Sequence, residues 1–321
     1  VNPPEITSPG TADTPENTTE VLTVTAVDKN IKPPQQAKAA GYKKLVFADD
    51  FDDPETIDLA NTQTGDFNWY LAQWFHHGQT TLDPADLIIE NSVLTIAADS
   101  WNLVSAFDTH PQVPDQFHGN VFGDGGYFEV RLRYDHAAAG VTSFYAMSIE
   151  HIADASVHNN NANVGLGHWP GQPDHFGHWI EIDIFETLYD WNHGYQAHVH
   201  DWSGILYDQI VDIRNNDNYY TPVDLSDPEA FHTYGALWVP QKNNTPGRIE
   251  FYCDEILKST LYYSGPVGEP PLPGQTDGNW TPDTSDKADR TYSILDSHRL
   301  ALCLQPSANT PLHVDWIRVW K

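Results

Sequence analysis

From Lys44 onward the chain is a succession of short runs in which apolar residues recur at every second position, each closed off by Gly, Pro, Asn or Asp. The clearest are KLVFADDF, DLIIENSVLTIAAD, GGYFEVRLRY, HWIEIDIFE, GYQAHVHDW, FHTYGALWV, GRIEFYCDEIL, RLALCLQ and LHVDWIRVW. A period of two is the period of a strand, and a chain that keeps returning to it after a turn signal must pair strand with strand. No stretch holds a helical period with good helix formers for long, because Pro and Gly interrupt it. The expectation is an all-β fold, a two-sheet antiparallel sandwich or barrel.

Residues 1–42 read differently. Pro3-Pro4, Pro9-Gly10, Pro15 and Pro33-Pro34 punctuate one alternating run, Val21 to Val27. The segment is too short for its own core. It reads as an N-terminal appendage, with a linker over Ile31–Lys43, ahead of one large domain at 43–321. The stretch opens on Val1 with no leader, so any export signal is expected to have been removed or to lie outside this sequence.

The formal net charge is −29. That balance disfavours nucleic acid and anionic membranes as partners, since both need clustered Lys and Arg. It suits a monomer outside the cell. Cys253 and Cys303 read as two buried thiols rather than a bridge.

The chemistry concentrates in Trp179-Ile180-Glu181-Ile182-Asp183-Ile184-Phe185-Glu186. On a strand, Trp179, Glu181 and Asp183 share one face, and the three isoleucines share the other, which faces the core. A regular strand would bury Glu186 with the isoleucines, at a cost of several kcal/mol for an unpaired carboxylate. A one-residue bulge near Ile184-Phe185 would return Glu186 to the face of the other two acids. Carboxyls in such a row repel one another, so one can stay protonated while another stays ionised, which is what a two-carboxylate glycosidase needs.

This motif resembles the E-[ILV]-D-x-x-E signature of family 16 glycoside hydrolases, in the bulged form of laminarinases, agarases and carrageenases. The likeness continues in LVFADDF, FGDGGYFEVRLR, FHTYGALWVPQ with RIEFYCDE, and HVDWIRVW, so it spans nearly all of the chain beyond Lys44. The opening PPEITSPGTADTPENTTEVLTVTAVD resembles the first strands of a bacterial cadherin-like repeat. Two departures stand out: TSFYAMSIE replaces the family's P-A-F-W segment, and Asp254-Glu255 replaces an Asp-Gly turn.

The resemblance implies a concanavalin-like jelly roll whose concave sheet binds glycan. It implies Glu181 as nucleophile, Glu186 as general acid/base and Asp183 as the residue that tunes the nucleophile, with no cofactor for catalysis. His198 or His200 falls near the family's histidine beside the catalytic row; a hydrogen-bonded strand histidine is an equal reading. It also suggests one structural calcium, which Asp315 could join.

Sugar rings stack on indoles, so Trp179, which shares the face of Glu181, is the first substrate-binding candidate; Trp74, Trp101, Trp169, Trp191 and Trp202 follow, with ordinary core packing at least an equal reading for each. Trp238, Trp316 and Trp320 read as core residues. Nine His but no Lys or Arg lie between Arg133 and Arg214. That points to a neutral polysaccharide, β-1,3- or mixed-linkage β-glucan before agar-type β-galactan, since anionic glycans are gripped by Arg or Lys. The rival readings are a non-catalytic glycan-binding sandwich and a transglycosylase.

Overall fold

The structure is a computed structural model that describes residues 5–6, 26–27, 31–71, 82–108, 117–135, 140–148, 176–187, 194–207, 210–264, 295–296 and 298–321. In chain order the elements are β1 (Glu5–Ile6), β2 (Ala26–Val27), α1 (Gln35–Ala40), β3 (Leu45–Asp49), β4 (Leu87–Glu90), β5 (Val93–Ile96), β6 (Leu103–Val104), β7 (Ala106–Asp108) and β8 (Phe117–Gly119). They continue as β9 (Gly126–Tyr134), β10 (Ser143–Ser148), β11 (Phe176–Glu186), β12 (Gly194–Tyr207) and β13 (Ile210–Asp224). The last are β14 (His232–Val239), β15 (Gly247–Cys253), β16 (Ile256–Tyr263), β17 (Leu300–Gln305) and β18 (Leu312–Trp320).

Two antiparallel sheets carry the fold. One runs β13-β12-β11-β10-β17-β6; the other runs β16-β15-β14-β9-β18-β5-β4, with β3 also paired to β18. The expected all-β jelly-roll sandwich is what forms. Alternation explains the layering: Ile180, Ile182, Ala197, Val199 and Leu302 of the first sheet meet Val130, Leu132, Ala236, Phe251 and Val314 of the second in one core. Each fully buried Val, Leu, Ile or Phe among them contributes about 1.5–3 kcal/mol.

Strand β17 shows why RLALCLQ is apolar at the intervening positions as well. Leu300, Leu302 and Leu304 enter the main core, while Ala301 and Cys303 join Tyr70, Val104, Tyr145 and Met147 in a second apolar cluster on the opposite face. A strand buried on both faces has no polar phase to display. Both cysteines are buried and free, as read.

Three expectations need revising. Strand β18 shifts register between Val314 and Trp316, so Val314 and Ile317 both reach the core. Trp316 is thereby turned out of it, under the Arg318 guanidinium at 4.1 Å from the ring centroid. Trp238 is in the core and Trp320 is buried in a cluster apart from it.

Next, the segment expected as a linker is folded. Helix α1 ends on Gly41 in the left-handed region, and Ala37 packs with Tyr127, Leu237, Tyr252 and Trp320. Gln36 donates to the Tyr127 hydroxyl (2.8 Å), and the Tyr42 hydroxyl donates to the Trp238 carbonyl (3.0 Å). Of residues 1–30 only the β1–β2 pair is described, so the cadherin-like reading lies almost wholly outside the described residues.

Finally, the missing Asp-Gly turn is replaced in kind: Asp254 and Glu255 both take positive φ (49° and 63°) between the paired Cys253 and Ile256, as a two-residue hairpin requires. Among the described residues no helix is long and apolar enough to cross a membrane.

Candidate active site

The site is created by an irregularity in β11. Against β12, Glu181 pairs with His200 and Asp183 with His198, but the next pair is Glu186 with Gln196. Three steps on β11 match two on β12. Against β10, Tyr145 faces Asp183, Phe144 faces Phe185 and Ser143 faces Glu186, which leaves Ile184 as the extra residue.

Packing supplies the driving force for this bulge. Ile184 and Phe185 are both buried in the main core. Phe185 stacks on Tyr195 (centroids 5.6 Å, 26°) and meets Tyr234 at 4.6 Å and Tyr134 at 5.0 Å. Burying two adjacent apolar side chains on one side costs one ladder position, and it turns Glu186 away from the core.

His198 then meets two of the acids. Its Nδ1 is 2.7 Å from Glu186 Oε2 and 3.8 Å from Asp183 Oδ2. Its Nε2 is 3.0 Å from Gln196 Oε1. With the amide oxygen facing it, Nε2 carries a hydrogen and donates, so Nδ1 either accepts a proton from the Glu186 carboxyl or, as imidazolium, donates to the carboxylate. The Tyr220 ring stacks on His198 (5.1 Å, 25°) and fixes the plane of the imidazole. His200 Nε2 lies 3.0 Å from Asp183 Oδ2.

Asp183 is only 2% exposed. Burial first, and the negative charge of Glu186 second, push its carboxyl well above the usual carboxylate range. It is therefore a protonated, hydrogen-bond-donating acid at pH values where an ordinary Asp is ionised. Glu181 and Glu186 are partly exposed, so the two outer carboxyls of the row are reachable from outside and the middle one is not.

The neighbouring strands extend this face. Tyr145 lies beside Asp183, Met147 beside Glu181, and Cys303 beyond Tyr145. The Tyr145 hydroxyl accepts a hydrogen bond from Asn102 Nδ2 at 2.7 Å. Among the described residues, Asp183, Glu186, His198 and His200 also have donor atoms within 4.8 Å of one another, a set of nitrogen and oxygen groups able to hold a metal ion.

Five residues picked out in the sequence are thus brought together: Glu181, Asp183, Glu186, His198 and His200. Trp179 is described only through its backbone, paired with Trp202. Trp74, Trp169 and Trp191 lie outside the described residues. Asp315 engages the Arg131 guanidinium, and among the described residues it belongs to no group of three ligating side chains. Sequence reasoning passed over Gln196, Tyr220, Tyr145 and Asn102. The first was visible in principle, since Gln196, His198 and His200 alternate on one face of β12.

No family model matches the sequence. No curated protein matches it either. Among solved structures, the GlcNAcα1-4Gal-releasing endo-β-galactosidase from Clostridium perfringens is similar over 91% of this chain and 66% of its own, at 16% identity and a TM-score of 0.46. The endo-1,3-β-glucanase from Streptomyces sioyaensis is similar over 86% and 95%, at 17% identity and a TM-score of 0.44. The κ-carrageenase from Pseudoalteromonas carrageenovora is similar over 86% and 94%, at 16% identity and a TM-score of 0.39.

Proposed function

We propose that this chain is a retaining endo-β-glycan hydrolase. The observation that carries the proposal is the bulge at Ile184, which leaves Glu186 on the side of Asp183 with His198 hydrogen-bonded to it. In this reading the Glu181 carboxylate attacks the anomeric carbon while the Glu186 carboxyl gives its proton to the leaving glycosidic oxygen. The glycosyl–Glu181 ester is then opened by water, from which Glu186 takes a proton. Asp183, buried and neutral between them, can donate a hydrogen bond to a neighbouring oxygen, while the charge that stabilises the developing oxocarbenium ion comes from Glu181. The E-x-D-x-x-E motif and its flanking segments support placement with the family 16 glycoside hydrolases.

The substrate we favour is a neutral β-glucan with 1,3 or mixed linkages, ahead of an agar-type galactan. A chain of net charge −29, with no Lys or Arg between Arg133 and Arg214, would repel a sulfated polymer unless histidines were protonated. The reading also takes the protein to be secreted and monomeric, and catalysis to need no cofactor. The test is product analysis by mass spectrometry and reducing-end release on a panel of neutral and sulfated polysaccharides. Oligosaccharides from laminarin or mixed-linkage glucan support it. Binding without cleavage would favour a glycan-binding sandwich, and products longer than the substrate would favour transglycosylation.

A further inference from the structure

A cavity of about 500 Å³ opens at the C-terminal end of β17, lined by Asp99, Trp101, Asn102, Gly140, Gln305 and Asn309 among others. Its size lies within the range of small-ligand pockets. The register ties it to the acids. Gln305 pairs with Ser143, which pairs with Glu186, so the cavity edge lies two strand spacings, roughly 10 Å, from the Glu186 backbone. Asn102 provides a second tie through its hydrogen bond to Tyr145, the residue opposite Asp183.

The lining has a definite chemistry. Trp101 is 51% exposed, an indole face left open in a cavity wall rather than packed into a core. Asn102, Gln305 and Asn309 surround it with carboxamides, which present both donors and acceptors. Among the described lining residues the ionisable side chain is Asp99. An aromatic plate with carboxamides around it matches a ring that is apolar on its face and hydroxylated at its rim. The Asp99 carboxylate repels sulfate and uronate groups.

We infer that this cavity is a binding site for a neutral pyranosyl unit of the glycan chain, seated with its ring on Trp101. The inference rests on the hydrolase reading and deepens it, by naming the group that selects uncharged sugar near the scissile bond. Gln305 and Asn309 would hydrogen-bond the hydroxyls, and Asp99 would exclude anionic substituents.

The experiment is isothermal titration of the full chain carrying Glu181→Gln, with and without Trp101→Ala, against neutral β-1,3-gluco-oligosaccharides of increasing length and against sulfated carrageenan oligosaccharides. Removing the indole should weaken binding of the longer neutral oligosaccharides about tenfold, with a smaller loss for the shortest. Trp101→Phe should recover part of the affinity, which separates stacking from a folding defect. Undiminished affinity in Trp101→Ala, while the parent binds and the active enzyme cleaves, overturns the inference and leaves the hydrolase reading standing. Tighter, Trp101-dependent binding of the sulfated series overturns the neutral-sugar selectivity. Wild-type protein that cleaves no glycan, together with a Glu181→Gln chain that binds none, removes the hydrolase reading, and the inference falls with it.

Discussion

His198 Nδ1 sits 2.7 Å from Glu186 Oε2, on an imidazole whose other nitrogen is held 3.0 Å from the Gln196 side-chain oxygen. Gln196 thereby fixes which nitrogen faces the proposed acid. Replacing Gln196 with Leu removes the acceptor at Nε2 and frees the imidazole to turn away from Glu186. Turnover of substrates with poor leaving groups should fall about tenfold, while KM stays near wild type. Unchanged turnover in Gln196→Leu would show that Gln196 does not position His198.

Asp183 sets function against stability. Burial and Glu186 raise its carboxyl well above the ordinary range, so the folded state binds this proton more tightly than the unfolded chain does. The contribution to stability is present below the unfolded value near pH 4 and is lost as pH rises through the folded value. Asp183→Asn removes that loss. Its melting temperature should exceed wild type by about 2 °C or more at neutral pH and match it near pH 3, while turnover falls. Equal melting temperatures across the range would contradict the assignment.

Glu129 offers the same test away from the site. It is 3% exposed and accepts a hydrogen bond from Trp320 Nε1 at 3.0 Å. Burial pushes its carboxyl up to about 7, against the opposing effects of that hydrogen bond and of Arg318. Stability should therefore decline as pH rises from about 4.5 to about 7, by roughly 3 kcal/mol in all. Glu129→Gln keeps an acceptor for Trp320 and should flatten that decline in thermal melts between pH 4 and pH 8.

Deleting residues 1–42 removes α1 and Tyr42 from Tyr127, Leu237 and Trp320, together with the Gln36 and Tyr42 hydrogen bonds. The apolar surface uncovered is of the order of one or two buried side chains, so about 2–4 kcal/mol of stability should go. Activity per folded molecule should persist, because the segment packs on the sheet opposite the acids. A truncated protein with unchanged melting temperature would mean that this packing contributes nothing.

The fold was legible because period-two alternation survives in most strands, and the acid row was legible because Ile180, Ile182 and Ile184 mark its opposite face. The bulge could be argued for in advance, since the alternative left Glu186 in the core. What stayed hidden depends on packing between distant parts of the chain. Residues 31–42 carry too few apolar groups to announce a helix, and α1 exists through packing on β14. Trp316 looked like core until the bulge in β18 changed its phase. Asn102 and Gln305 reach the site only through sheet order, and no local pattern encodes that.

Glu181 as nucleophile and Glu186 as acid/base are the central assignments, and azide rescue on an activated aryl β-oligoglucoside tests both. A small anion can replace a missing nucleophile from the opposite face, or attack the glycosyl–enzyme when the acid/base is missing. Glu181→Ala should be almost inactive and, with azide, should recover turnover while yielding the α-glycosyl azide. Glu186→Ala should recover with azide to yield the β-glycosyl azide. Anomers in the reverse order would exchange the two roles, and near wild-type turnover by Glu181→Ala without azide would remove the nucleophile from this site altogether.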